Sequence, residues 1–175
     1  MKRLLALIVW GVAVSAAAQT ITEFPVPKIG TGIRDLTVGP DGALWFTESN
    51  GNANSIGRMT SWGAVTEFPL PTPEAAPSGI TAGHDGNLWF TETQANQIGR
   101  ITMAGVVTEF PIPTADSNPA RITAGPDGNV WFTEAAGNKI GRITPTGVIT
   151  EFPVPTPGSN PYGITTGPDG YVWFV

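Results

Sequence analysis

The sequence predicts an all-β fold, a β-propeller of four-stranded antiparallel blades, and three observations carry that prediction. The phrase Asp127-Gly128-Asn129-Val130-Trp131-Phe132-Thr133-Glu134 recurs at 41–48 and 85–92 and, cut short, at 169–174. Trp45, Trp89, Trp131 and Trp173 follow one another at 44, 42 and 42 residues, and Glu23, Glu67, Glu109 and Glu151 of a Thr-Glu-Phe-Pro phrase each precede the next of these tryptophans by 22. A fixed period in the low forties marks an array of supersecondary units. The second observation is composition: 22 glycines and 17 prolines against 13% charged residues suit turn-rich β-structure, and six tryptophans do not suit a disordered chain. The third is that each unit holds four short strand-like runs, the second of which is apolar on both faces.

Taken in order, the chain opens with Lys2 and Arg3, an apolar run over 4–14, and small residues Ala16 and Ala18 ahead of Gln19. This reads as a secretory signal peptide over 1–18, so residues 19–175 are expected to be secreted or periplasmic. The run has about half of the roughly 20 apolar residues that a membrane span needs, so no stable span is expected after cleavage. Residues 21–27 are an orphan copy of the Thr-Glu-Phe-Pro strand, as if lent to another unit. Full units are expected at about 32–71, 79–113 and 121–155, with an incomplete one at 163–175, so that about 3.5 blades are present.

Within the second unit, the first strand at 79–83 is small and rich in glycine, which suits crowded backbones near an axis. Asp85-Gly86 is a hairpin signal; read as a two-residue loop, it sets Glu92 opposite Gly79. The second strand, 87–92, puts Leu88 and Phe90 on one face and Trp89 and Thr91 on the other, the mark of a sheet sandwiched between neighbours. The third strand covers 97–102. The fourth, 106–112, includes Pro111 and precedes Pro113, which cannot donate ladder hydrogen bonds, and so belongs at an edge.

Without Lys2 and Arg3, seven basic residues face fourteen acidic ones, a net charge of −7 with no basic cluster. Nucleic acid and anionic membrane surfaces are therefore excluded as partners. The chain has no cysteine, so packing rather than disulfides must stabilise it.

The phrases at 125–134, 138–144 and 150–157 resemble those of the virginiamycin B lyase (streptogramin lyase) family. The resemblance implies a seven-bladed propeller and a magnesium-dependent elimination that opens the ester of streptogramin B antibiotics, which are cyclic depsipeptides. It also implies catalytic histidines two residues before the Ile-Thr of the first strand in particular blades, working with a glutamate of the Trp-Phe-Thr-Glu phrase. The glutamates are present as Glu48, Glu92 and Glu134, but the histidine positions hold Arg34, Ser78, Ala120 and Tyr162, none of which replaces a histidine as a base near neutral pH.

Glu48, Glu92 and Glu134 are the candidate catalytic and metal residues. With the starts of the first strands they are expected at one rim near the axis, either binding a hard cation such as Mg²⁺ or bonding backbone and charges such as Arg34. His84, the only histidine, replaces the proline of the Asp-Gly turn and reads as a surface turn residue at the far end from Glu92. The Asp-Gly pairs lack the spaced acids of a calcium loop. Arg58, Arg100 and Arg142 recur in every unit, which suggests structural ion pairs, with the Thr-Glu-Phe-Pro glutamates as partners. Two functions stay open: a lyase of this family, and a non-enzymatic secreted propeller whose rim binds a small molecule, a carbohydrate, a peptide or an envelope partner. Further blades or self-association are expected to cover the apolar faces of the outermost blades.

Overall fold

The computed structural model describes residues 3–6, of these the backbone only, together with 21–26, 32–50 and 53–175. Beyond Arg3–Ala6, the expected signal peptide lies outside the described residues. Three four-stranded antiparallel sheets follow one another along the chain. The first blade comprises β3 (Ile33–Val38), β4 (Leu44–Glu48), β5 (Ser55–Met59) and β6 (Val65–Pro69). The second comprises β7 (Pro77–Ala82), β8 (Leu88–Glu92), β9 (Gln97–Ile101) and β10 (Val107–Pro111). The third comprises β11 (Pro119–Ala124), β12 (Val130–Glu134), β13 (Lys139–Ile143) and β14 (Ile149–Pro153), and two strands of a fourth unit are β15 (Ile164–Thr166) and β16 (Val172–Phe174). These are blades of a β-propeller. In each the strands pair in chain order, so the proline-bearing fourth strand is the outer edge, as its missing donors require.

The inner strands β3, β7, β11 and β15 stand side by side in succession. At Gly79 a Cβ would lie only 3.1 Å from the carbonyl oxygen of Ala120 in the next blade, which is why this strand is built of small residues. β8 is buried along its whole length. Leu88 and Phe90 pack with Trp45 and Ile56 of the first blade, whereas Trp89 packs with Val130 and Phe132 of the third. The continuous apolar run is thus the product of having a blade on each side.

The hairpin between β7 and β8 differs from the two-residue loop expected. Gly86 N–H bonds Gly83 O at 3.3 Å and Gly83 N–H bonds Asn87 O at 2.8 Å, with Gly86 at φ +77°, so three residues fill the turn. A bulge between Pro77 and Ile80 shifts the register once more, and Glu92 faces Pro77 rather than Gly79. The same bulge sets Glu48 opposite Ile33 and Glu134 opposite Pro119.

The orphan strand β2 (Thr22–Pro25) pairs with β1 (Arg3–Ala6). Its placement follows a rule that repeats along the chain. The Phe of each outer strand lies on the glycine of the next blade's last turn: Phe68 on Gly105, Phe110 on Gly147, and Phe24 on Gly63. β2 therefore holds the place of an outer strand belonging to a preceding blade, as the sequence suggests.

Candidate functional site

The inner strands bring Arg34, Ser78, Ala120 and Tyr162 to one mouth beside the axis, a cavity of about 200 Å³ that Ser49, Thr93, Gln94 and Asn118 also line. A larger hollow of about 430 Å³, walled by Trp131, Phe152, Tyr171 and Phe174 among others, is a predominantly apolar gap between the third blade and β16. The mouth is the better candidate, because there polar groups of several blades converge.

A threonine in each blade fixes this mouth. The bulge frees the N–H of Gly79 from the ladder, and Thr91 Oγ1 accepts it at 2.9 Å while donating to Ala120 O of the next blade at 3.1 Å. Thr47 likewise takes the N–H of Asp35 and donates to Ser78 O, and Thr133 takes that of Arg121 and donates to Tyr162 O. Three of the four mouth positions are therefore held through their carbonyls by the preceding blade. Sequence reasoning misses these threonines; the available signal is a hydroxyl repeated in a strand that is otherwise apolar on both faces.

Below the mouth runs a charged strap. Asp35 Oδ2 accepts from Ile80 N at 3.2 Å and pairs with Arg121 Nη1 at 3.2 Å, and Arg121 in turn lies 5.4 Å from the centre of the Tyr162 ring. It links three successive inner strands and the residue that leads into the fourth.

The candidate glutamates do not share one centre. Glu48, Glu92 and Glu134 are all fully buried, each in its own blade. Glu48 Oε2 accepts from Ser55 Oγ at 2.8 Å. In the second blade the Phe90 ring lies over Gly99, where a Cβ would come within 2.1 Å of it, and the Glu92 carboxyl meets that of Glu109 on the outer strand. Burial first, then the charge of Glu109 and a hydrogen bond with it, pushes Glu92 up to about 8. Glu109 itself accepts from the backbone N–H and hydroxyl of Thr72, in the segment joining the first two blades, at 3.0 and 2.8 Å. In the third blade burial and Glu151 push Glu134 up to about 7, opposed by Lys139 and Ser117. Lys139 Nζ bonds Glu151 at 3.1 Å and the Thr114 hydroxyl. Against the opposing pull of burial, those contacts and the Thr114 N–H hold Glu151 below the usual carboxylate range.

These carboxyls do not fit Mg²⁺. The ion is bound through one or two carboxylates and keeps several waters, whereas these are closed from solvent, each inside its own blade. Among the described residues no three His, Cys, Asp or Glu are grouped to hold a metal ion.

His84 sits in the turn at the opposite end of the β7–β8 hairpin, its Nε2 3.1 Å from Gly125 O. Asp41, Asp85, Asp127 and Asp169 of these turns each accept the indole N–H of their tryptophan at 3.0 to 3.1 Å. At Asp85 burial opposes ionisation, but bonds from Asn87 and Trp89 outweigh it and keep the carboxyl low. Among the described residues the recurrent arginines meet aromatic rings and a turn aspartate instead of the Thr-Glu-Phe-Pro glutamates expected. Arg100 lies 5.5 Å from the Trp89 ring and 5.6 Å from that of Phe110, Arg142 lies 5.7 Å from both Trp131 and Phe152, and Arg58 pairs with Asp41 at 2.6 Å. A flat guanidinium stacks on an aromatic face, and every blade offers one.

Residues 11–175 match the model of the Virginiamycin B lyase family. The chain belongs to this family. The selenomethionine-substituted virginiamycin B lyase of Staphylococcus aureus is 50% identical, with a TM-score of 0.86 over 90% of this chain and 53% of that one. A catalytically inactive histidine-to-alanine variant of that enzyme, with quinupristin, gives 49% and 0.87 over the same shares. A virginiamycin B lyase of Bordetella parapertussis is 51% identical over 45 residues, 26% of this chain and 14% of that protein. The chain spans about half the length of the solved lyases it matches. A putative gluconolactonase, 14% identical with a TM-score of 0.67, shares the fold alone.

Proposed function

We propose that the chain is an exported propeller of the streptogramin lyase type whose axial mouth binds a peptide or depsipeptide ligand, and that its own residues do not carry out the elimination. One observation supports this above all: the mouth is walled by Arg34, Ser78, Ala120 and Tyr162, with the only histidine at the other end of a blade. Opening an ester by elimination needs a base to take a proton and an acid or a metal to stabilise the departing carboxylate. A buried glutamate that holds its proton to about pH 8 is a poor base at neutrality, and it lies behind the mouth rather than in it. The magnesium dependence of the family therefore finds no ligand set in these carboxyls. Export is supported by the basic, apolar and small-residue sequence of 1–18.

The test is to titrate the purified chain with a streptogramin B antibiotic by calorimetry, and to incubate the two with Mg²⁺. Elimination within a ring leaves the mass unchanged, so opening is followed by chromatography and tandem mass spectrometry. Binding without opening is expected. Turnover would overturn the division of roles, and absence of binding would remove the mouth as the site.

A further inference from the structure

Arg34 stands apart from the other arginines of the blades, and a part for it in recognition rests on the mouth being the ligand site. Arg58 is occupied by Asp41, Arg121 by Asp35 and Tyr162, and Arg100 and Arg142 by aromatic rings. Among the described residues no acid and no ring is set against Arg34. Its Nε donates to Ser49 Oγ at 2.8 Å, and Ser49 Oγ lies 3.3 Å from Gly32 O, so one edge of the guanidinium is fixed while its two outer nitrogens stay unclaimed. It is exposed and lines the mouth, where no acidic side chain accompanies it among the described residues, in a chain of net charge −5.

A positioned guanidinium with a free fork is the natural partner of a planar anion, which it holds through two parallel hydrogen bonds. The size of the cavity narrows the choice. At about 200 Å³ it is smaller than the roughly 300 to 1,000 Å³ that encloses a drug-sized ligand, so it encloses one end or edge of a ligand and leaves the rest of a macrocycle outside. Hydroxyl and amide groups at Ser78, Gln94 and Asn118 suit the peptide bonds behind such an end.

We propose that Arg34 determines the specificity of the mouth, and that it selects a linear peptide ending in a free carboxylate over the same peptide closed as an ester or capped as an amide. Arg34 acts here as a binding residue and takes no part in bond breaking.

The full chain is titrated with N-acetyl-Thr-Phe as the free acid and as its C-terminal amide, with backbone amide shifts at Ser78 and Gln94 reporting where each binds. The acid is expected to bind about tenfold or more tightly than the amide, the usual advantage of a charge-assisted bond. In Arg34→Gln the acid should fall to the affinity of the amide, which itself stays unchanged, and Arg34→Lys should keep part of the preference. Equal affinities in the unaltered chain, or a preference that survives Arg34→Gln, would overturn the role of Arg34 and leave the mouth as the ligand site. If neither peptide shifts Ser78 or Gln94, the mouth reading falls and the proposal with it.

Discussion

The second and third blades are built from the same phrases in the same register, yet their buried glutamates differ. In the second, Gln97 is the neighbour across the ladder from Glu92; in the third, Lys139 occupies that place beside Glu134. Glu92 is pushed up to about 8 and Glu134 only to about 7, with Lys139 among the groups opposing the rise. Burial is the largest cause in both, and Lys139 and Ser117 oppose the rise only in the third blade. The first blade offers a third solution, Ser55 donating to Glu48. A repeat thus keeps its shape across its copies while the residue across the ladder from its buried glutamate changes from Ser55 to Gln97 to Lys139.

The same two blades differ in packing. Trp89 lies between two complete blades and is 1% exposed; Trp131 has only the two strands β15 and β16 beyond it and is half-buried. Truncation should expose this as the largest effect. Trp89→Ala is expected to cost about 3 to 5 kcal/mol in a denaturant melt, through lost transfer energy and a cavity. Trp131→Ala should cost roughly half as much, since less apolar area leaves water there on folding. Equal losses would mean that the ring stacks with Phe110 and Phe152, at 5.7 and 5.5 Å, outweigh burial by the neighbouring blade.

Much of this architecture is legible in the residues. The Trp and Glu periods give the blades, the prolines place the outer strand, and the small residues place the inner one, because each of those constraints acts on the backbone of a single strand. The positions of Arg34, Ser78, Ala120 and Tyr162 come from the family resemblance, and the fold gathers them round one cavity. What escapes depends on contacts between strands or blades. Glu92 and Glu109 are separated by two turns of chain and meet because Gly99 lets Phe90 lie flat between their strands. Thr91 reads as filler in an apolar run until the bulge supplies a free N–H and the next blade a carbonyl. The arginines recur in every unit and suggest ion pairs, which Arg58 makes with Asp41, but the strand register puts Trp89 directly across from Arg100.

The buried carboxyls carry a pH dependence whose sign comes from linkage. Glu92 has a folded pKa raised to about 8 from an ordinary 4.5, so the folded state holds its proton more tightly than the unfolded chain does. Its contribution to stability is fully present below about pH 4.5, declines as pH rises, and is lost once pH passes about 8. For Glu134 the decline ends near 7. Glu92→Gln keeps the shape of the side chain and removes the titration, so its stability should exceed that of the parent increasingly from pH 5 to pH 8. Chemical denaturation at a series of pH values measures it, and a parent whose midpoint holds steady across that range would show that water reaches the carboxyl pair.

The finest test exchanges the variable position itself. Lys139→Gln gives the third blade the neighbour of the second, and Gln97→Lys does the reverse. If the lysine sets the difference, the first change should raise Glu134 above about 7 towards the value of Glu92, and the second should lower Glu92 from about 8. The lysine also bonds Glu151 and the hydroxyl of Thr114, so Lys139→Gln should loosen the segment between the second and third blades as well. Carboxyl carbon chemical shifts tracked through a pH titration report each glutamate separately. Should both values stay where they are, the difference between the blades would have to come from burial, the largest cause in each.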